Sequence, residues 1–389
     1  MRRNVFLYIL SEVFLSFGLG IAWYALPFLY KSAGLSDASI GLLLGTNTAV
    51  SGIVGLLLGP MADRIGATRV VKFATLLLGL GYSLTGLVHT EAAWFGTTAI
   101  NGLGGALLGS TENIVVSQLA EGQNRARVMS RFFAMYTFVI GAGALAAGPM
   151  SLYLGYQDTL LTGAVFSLVA PVIRYFVRLE DVRAHRMFKW PSRRLVAMSL
   201  YNLLYGIGFG LFNPFATLLL KGQFHLSDSV VAALSAMSTF TAALGGLLVA
   251  PLLNLLRPVR SIVLSYAISL LATLGLGWSG NPWTFSLCYL GRTAFNSIPG
   301  PIVDATFLEM TSPTEYAQMF GVRIFGNNIG NALGSFTGGY VLTDLGHGTL
   351  YLMSAGVFAA ALTYLVLLLR VAQRSGRSRE SLRSTVGVD

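Results

Sequence analysis

The chain has 389 residues, of which 54% are hydrophobic and only 11% charged, with a mean hydropathy of +0.66; an ordinary soluble domain carries roughly 25% charged residues. Such a chain cannot cover a water-facing surface, so its length counts membrane-spanning helices rather than soluble domains. A formal net charge of +10 invites a nucleic-acid partner, but the basic residues lie between apolar runs, which excludes it.

Arg2 and Arg3 open an apolar stretch that runs to about Leu29 without a small-residue cleavage site, so it reads as an uncleaved first helix. Apolar runs of about 20 residues, each able to cross a ~30 Å hydrocarbon core, predict helices over 5–29, 38–58, 70–89, 94–118, 130–154 and 159–178. A second set covers 195–220, 229–253, 261–279, 283–308, 318–343 and 349–369. The longest connection is charge-rich and divides these helices six and six. The predicted organisation is an N-terminal bundle over 1–178, a cytoplasmic linker over 179–194, a C-terminal bundle over 195–370 and a basic, disordered tail over 371–389. Cys288, inside an apolar run, is the single cysteine, which rules out a disulfide framework within one chain.

All but three of the 26 Lys and Arg residues fall on one side of this topology; the exceptions are Lys31, Lys221 and the intrahelical Arg292. Cytoplasmic loops retain positive charge, so the split predicts both termini in the cytoplasm. The halves also repeat. A shift of 190 residues lays Gly18, Gly20 and Lys31 on Gly208, Gly210 and Lys221. A shift of 191 lays Leu35-Ser36-Asp37 on Leu226-Ser227-Asp228, and Gly143, Gly148 and Leu154-Gly155 on Gly334, Gly339 and Leu345-Gly346. Each Ser-Asp pair stands where the next helix needs an N-cap. Parallel halves of this kind suit a rocking transporter with its site between them.

Between the second and third helices the sequence reads Gly59-Pro-Met-Ala-Asp63-Arg64-Ile-Gly66-Ala-Thr-Arg69. This resembles the signature loop of the major facilitator superfamily, although the basic residues that follow the second glycine in that pattern are here displaced to Arg69. The resemblance implies an all-α integral membrane protein, twelve transmembrane helices in two pseudo-symmetric six-helix bundles, and a gating role for Gly59, Asp63, Arg64, Gly66 and Arg69. In helix 5, Gly148-Pro149 partly resembles that family's antiporter signature. Helix 11 has Gly334, Gly338 and Gly339 but Ser335 where proline would stand, so the match favours drug:proton antiport only modestly and equally suits close helix packing. The arginine that efflux members carry in helix 4 is replaced by Asn101.

Ionisable groups inside a membrane cost on the order of 2.5–3.5 kcal/mol near a helix centre, so each needs a reason. Glu12 and Glu112 both sit ~10 Å from the same boundary at about 1.5 Å per residue; with Asp304 they are the proton-coupling candidates. A carboxylate stripped of water holds its proton and releases it when water returns, which can couple protonation to rocking. Glu12, Ser16, Gly20 and Trp23 fall on one helical stripe, as do Asn101, Gly105, Leu108 and Glu112. Cavity candidates are Trp23, Asn101, Tyr136, Asn202, Asn213, Arg292, Asn296, Asn327 and Asn331. Arg292 suits an anionic group or a carboxylate partner, and Asn327 and Asn331 suit substrate or an interhelical hydrogen bond.

The four histidines have no metal-ligand spacing, no nucleotide-binding Gly-x-x-x-x-Gly-Lys loop is present, and no cofactor is called for. The leading expectation is a monomeric, multi-pass protein of a bacterial-type plasma membrane that uses protons to export amphipathic or cationic small molecules. An uptake symporter or facilitator for a sugar, metabolite or organic anion stays open, as does a non-transporting receptor or enzyme, although no catalytic constellation is visible.

Overall fold

Hydrocarbon offers a backbone N–H or C=O no partner, so a spanning segment satisfies its own hydrogen bonds as a helix. The computed structural model, which describes residues 2–120, 125–178, 190–312 and 315–386, is built that way, with no strand among the described residues. In chain order the helices are α1 (Arg2–Ser32), α2 (Asp37–Ile65), α3 (Ala67–Leu87), α4 (Glu91–Leu119), α5 (Arg125–Tyr175), α6 (Arg193–Phe212), α7 (Ala216–Phe224), α8 (Asp228–Leu247), α9 (Val249–Leu255), α10 (Pro258–Gly277), α11 (Pro282–Ser297), α12 (Pro299–Glu309), α13 (Tyr316–Asp344) and α14 (Gly346–Val386). A single 3-10 turn, Asn213–Phe215, joins α6 to α7.

Eight stretches among the described residues are long and apolar enough to cross a membrane unaided. The 48-residue stretch Val128–Tyr175 would be about 72 Å long at about 1.5 Å per residue, more than twice the hydrocarbon depth. It turns back at Gly155, whose φ of 79° suits glycine, and so makes two passes. α6 with α7 forms one interrupted pass, as does α8 with α9. The remaining three of the twelve are α4, α11 with α12, and α13, which carry the polar residues Asn101 and Glu112, Arg292 and Asn296, and Asn327 and Asn331.

Two expectations need correcting. α2 continues to Ile65, so the signature segment begins inside a helix; the turn is confined to Gly66, at φ 111°. The helix α14 runs from Gly346 to Val386, past the end at 369 that the apolar run predicts. Most of the expected linker, residues 179–189, lies outside the described residues, and so do the side chains of Asp63 and Arg64.

The repeat has a direct counterpart in space. Gly155 and its match Gly346 adopt φ of 79° and 78°, and Asp37 and Asp228 each begin a helix. Lys31 pairs with Asp37 at 2.7 Å, and the matching Lys221 pairs with Asp228 at 2.6 Å. Ser36 accepts the Ser39 N–H at 3.1 Å, as an N-cap does, whereas Ser227 makes no side-chain cap bond.

The halves meet along two seams, α2 against α13 and α5 against α8. A Cβ on Gly148 would come within 2.7 Å of the Asp228 carbonyl oxygen, and one on Gly339 within 2.4 Å of the Asp37 carbonyl oxygen. These are the same contact made twice by the pseudo-twofold, backbone lying on backbone. Both lie near the face that carries the turns at 33–36, Gly155 and 225–227. This is the distal face; the termini occupy the proximal one, where Asn4 Nδ2 donates to the Arg178 carbonyl at 2.5 Å.

Hydrogen bonds across the halves gather distally as well. Tyr24 Oη donates to the Asp228 carbonyl at 2.9 Å, Tyr156 Oη to Asp228 Oδ1 at 2.7 Å, and the Ala38 N–H to Thr343 Oγ1 at 3.1 Å; Lys221 Nζ also donates to Tyr156 Oη. Towards the proximal face the approach relaxes. Gly52 still faces Asn328 at 3.0 Å, but three residues on, a Cβ at Gly55 would meet nothing within 4 Å.

Leucine at Gly148 or Gly339 cannot coexist with these contacts, so Gly148→Leu and Gly339→Leu should each lengthen the distance between spin labels on Ala33 and Asp344 by several ångströms. An unchanged distance in both variants would show that the distal seam does not depend on this approach.

Candidate functional site

A charge withdrawn from water persists only if opposite charge and hydrogen bonds replace the solvent. In the N-terminal half that replacement centres on Arg174, which is fully buried. Its Nη2 pairs with Glu12 and lies 3.3 Å from Glu112 Oε1, while Nε donates to Ser11 Oγ at 3.1 Å. Ser16 Oγ donates to Glu12 Oε1 at 2.7 Å, Tyr8 Oη donates to Glu112 Oε1 at 3.4 Å, and the guanidinium carbon stands 4.6 Å from the centre of the Tyr8 ring. Three passes thus contribute: α1, α4 and the returning arm of α5. The sequence reading places Glu12 and Glu112 at one level but counts Arg174 with the loop charge, which the structure corrects. Arg174 lies within the predicted 159–178 helix, one turn from its end, and that was the available signal.

The two carboxylates are not equivalent. Glu12 is sealed, with 3% of its side chain exposed, against 16% for Glu112, and Glu112 holds the longer contact to Arg174. With both ionised, the cluster carries one negative charge in excess, and a single proton cancels it. Tyr136, half-buried, packs with Phe132 and Phe133 at centroid distances of 5.8 and 5.1 Å beside this cluster.

The C-terminal half has two further charge sites. Asp304 pairs with Arg323 at 2.6 Å, both partly exposed. Arg292 is buried to 1% exposure, donates from Nη1 to Asn213 Oδ1 at 2.7 Å, and lies over the Phe212 and Phe358 rings at 4.4 and 5.4 Å. No carboxylate pairs with it among the described residues.

Several expected cavity residues do other work. Trp23 is 53% exposed and donates to Tyr82 Oη at 3.0 Å, and Gly20 lies against the backbone of Ile140 within the same bundle. Asn101 is buried against Gly81 and reaches Thr85 Oγ1 at 3.5 Å, and Asn202 donates to the Met198 carbonyl of its own helix at 2.9 Å. Asn331 accepts from Ser335 at 3.3 Å, and the backbones of Asn327 and Asn331 face Gly206 and Gly210 of α6. Asn296 is buried with its carbonyl oxygen unpaired. Gly334 and Gly338 let α13 approach Ile207 and Leu211 of α6, Pro149 is exposed within α5, and Arg69 is exposed at the start of α3.

A family profile described as Major Facilitator Superfamily matches residues 8–191 and 198–386. The multidrug resistance protein MdtH of Cronobacter sakazakii is 27% identical over 138 residues, and that of Shigella boydii serotype 4 is 29% identical over 136. These stretches cover 36% and 34% of this chain and only a third, 33%, of each relative. Among solved structures, the nucleoside transporter NupG superposes with a TM-score of 0.76 at 19% identity, over 95% of this chain and 99% of its own. The human organic anion transporter MFSD10 gives 0.69 at 14% identity, over 94% and 99%. A bacterial homologue of the iron transporter ferroportin gives 0.74 at 13%, over 94% and 98%.

Removing one member of a buried ion cluster strands the others, at about 3–5 kcal/mol. Arg174→Met should therefore lower the thermal unfolding midpoint clearly, and adding Glu12→Gln to it should restore part of the loss. A midpoint unmoved by Arg174→Met would mean the carboxylates find water instead.

Proposed function

Because the chain belongs to the Major Facilitator Superfamily, and is thus a multi-pass membrane transporter and not an enzyme, we propose that it exchanges protons for amphipathic small molecules by alternating access, in the direction of export. The observation that carries this reading is the buried Glu12–Arg174–Glu112 cluster, with its one surplus carboxylate, in a bundle joined to its partner chiefly at the distal end. The distribution of Lys and Arg supports a cytoplasmic proximal face, which makes the looser end of the seam the inward one.

Coupling then follows from charge balance. The unprotonated cluster draws a molecule with a cationic part towards the N-terminal half; a proton arriving on Glu112, the more accessible carboxyl, removes that attraction. Proton and substrate therefore compete, which is the condition for antiport. The partial likeness to bacterial multidrug resistance proteins supports an amphipathic substrate and a bacterial plasma membrane. Gly59, Asp63, Arg64, Gly66 and Arg69 are assigned to proximal closure, Asp304 to a secondary protonation site, and the working unit to the monomer.

The test is the purified protein in liposomes with an imposed pH gradient and a lipophilic cation dye. Gradient-driven dye movement is expected, with Glu112→Gln cutting it at least about tenfold while Asp304→Asn cuts it less; tenfold is about 1.4 kcal/mol of coupling. Dye movement indifferent to the gradient, or gradient-independent exchange of a sugar, contradicts the proposal.

A further inference from the structure

Arg292 is a second buried arginine, and its charge is accommodated differently from that of Arg174. Arg174 commits its Nε and Nη2 to Ser11, Glu12 and Glu112. Arg292 has one polar side-chain contact, from Nη1 to Asn213 Oδ1 at 2.7 Å; its Nε and Nη2 are buried without a partner. In a guanidinium those two nitrogens form one edge, the parallel fork that grips a carboxylate or phosphate bidentately. The cation is thus held by its far edge and by two aromatic faces, Phe212 and Phe358, while the edge built for an oxyanion is empty of protein atoms that could accept.

A buried charge left so is costly, and two features argue against a simple packing fault. Asn296, one turn along the same helix, also has a buried carbonyl oxygen without a partner. Both passes that meet at Arg292 are interrupted nearby: α6 gives way to the 3-10 turn that begins at Asn213, and α11 ends at Ser297 before Pro299 opens α12. Broken helices of this kind occur in transporters where a ligand or ion enters between them.

We infer that Arg292, steadied by Asn213, is an anion-binding site in the C-terminal half that receives an oxyanion of the carboxylate or phosphate type on its free edge. The anion is either a group of the transported molecule or free inorganic phosphate. Only the first assignment rests on the transport reading; the site itself stands on the arginine's surroundings.

The experiment uses the purified full chain and needs no gradient, so its failure is separable from a failure of proton coupling. Thermal unfolding is followed in sodium phosphate and sodium chloride at equal ionic strength, and binding of fluorescein, an amphipathic carboxylate dye, is compared with that of rhodamine 6G, a cationic ester of the same ring system. The inference expects phosphate to raise the midpoint or fluorescein to bind. Arg292→Gln should weaken that response at least about tenfold, and Arg292→Lys should fall between, because an ammonium keeps the charge without the fork. If the glutamine variant does not fold, the lysine variant carries the comparison. Phosphate stabilisation without fluorescein binding assigns the site to the inorganic ion; fluorescein binding displaced by phosphate assigns it to the transported molecule. Equal anion responses in wild type and variants, or no response to either anion in the wild type, overturns the inference.

Discussion

Two bundles with lipid on most sides have little reason to stay together, since hydrocarbon tails are as apolar as the helices they would separate. What joins them is close backbone contact at the distal seam, Gly148 on Asp228 and Gly339 on Asp37, reinforced by Lys221, Tyr24 and Tyr156 around the Asp228 carboxylate and carbonyl. This contact depends on the absence of a side chain at two repeat-related positions. It is also confined in depth, because the approach along α2 loosens between Gly52 and Gly55. A joint made at one end only can be exchanged for one at the other, so the architecture lends itself to rocking.

The charges are arranged around that joint asymmetrically. Glu12, Glu112 and Arg174 gather in the first half with carboxylate in excess, whereas the second half buries Arg292 with none. The repeat preserves the scaffold, as the paired φ values of Gly155 and Gly346 attest, but not the chemistry. By the same 191-residue shift the partner of Arg292 is Asn101, which merely packs against Gly81 and Thr85. Each half has therefore been given its own electrostatic task on a common frame.

Much of this was legible in the sequence for a physical reason. A bilayer admits few spanning structures, so apolar runs locate helices, and the displaced copies of Ser-Asp and Leu-Gly locate the turns. Glu12 and Glu112 could be set at one depth because helical rise is constant. Direction around the helix was harder. The stripe from Glu12 to Trp23 meets Arg174 at one end and Ile140 and Tyr82 towards the other, and periodicity alone does not say which neighbour a stripe meets. Arg174 was lost to loop charge because its burial is decided by carboxylates more than 60 residues away, and Asn202 gives its amide to its own helix, a local bond that residue type does not reveal. The side chains of the signature segment, Asp63 and Arg64, lie outside the described residues.

Reciprocal accessibility tests the central claim most directly. In a chain whose Cys288 is replaced by alanine, single cysteines at Ser335, buried in the distal seam, and at Gly55, beyond the proximal end of that seam, can be labelled with a membrane-impermeant maleimide from either side under opposing pH gradients. Alternating access predicts that conditions which expose position 335 to the distal solution protect position 55 from the proximal one, and the reverse. Simultaneous labelling of both, or protection of position 335 under every condition, would contradict it.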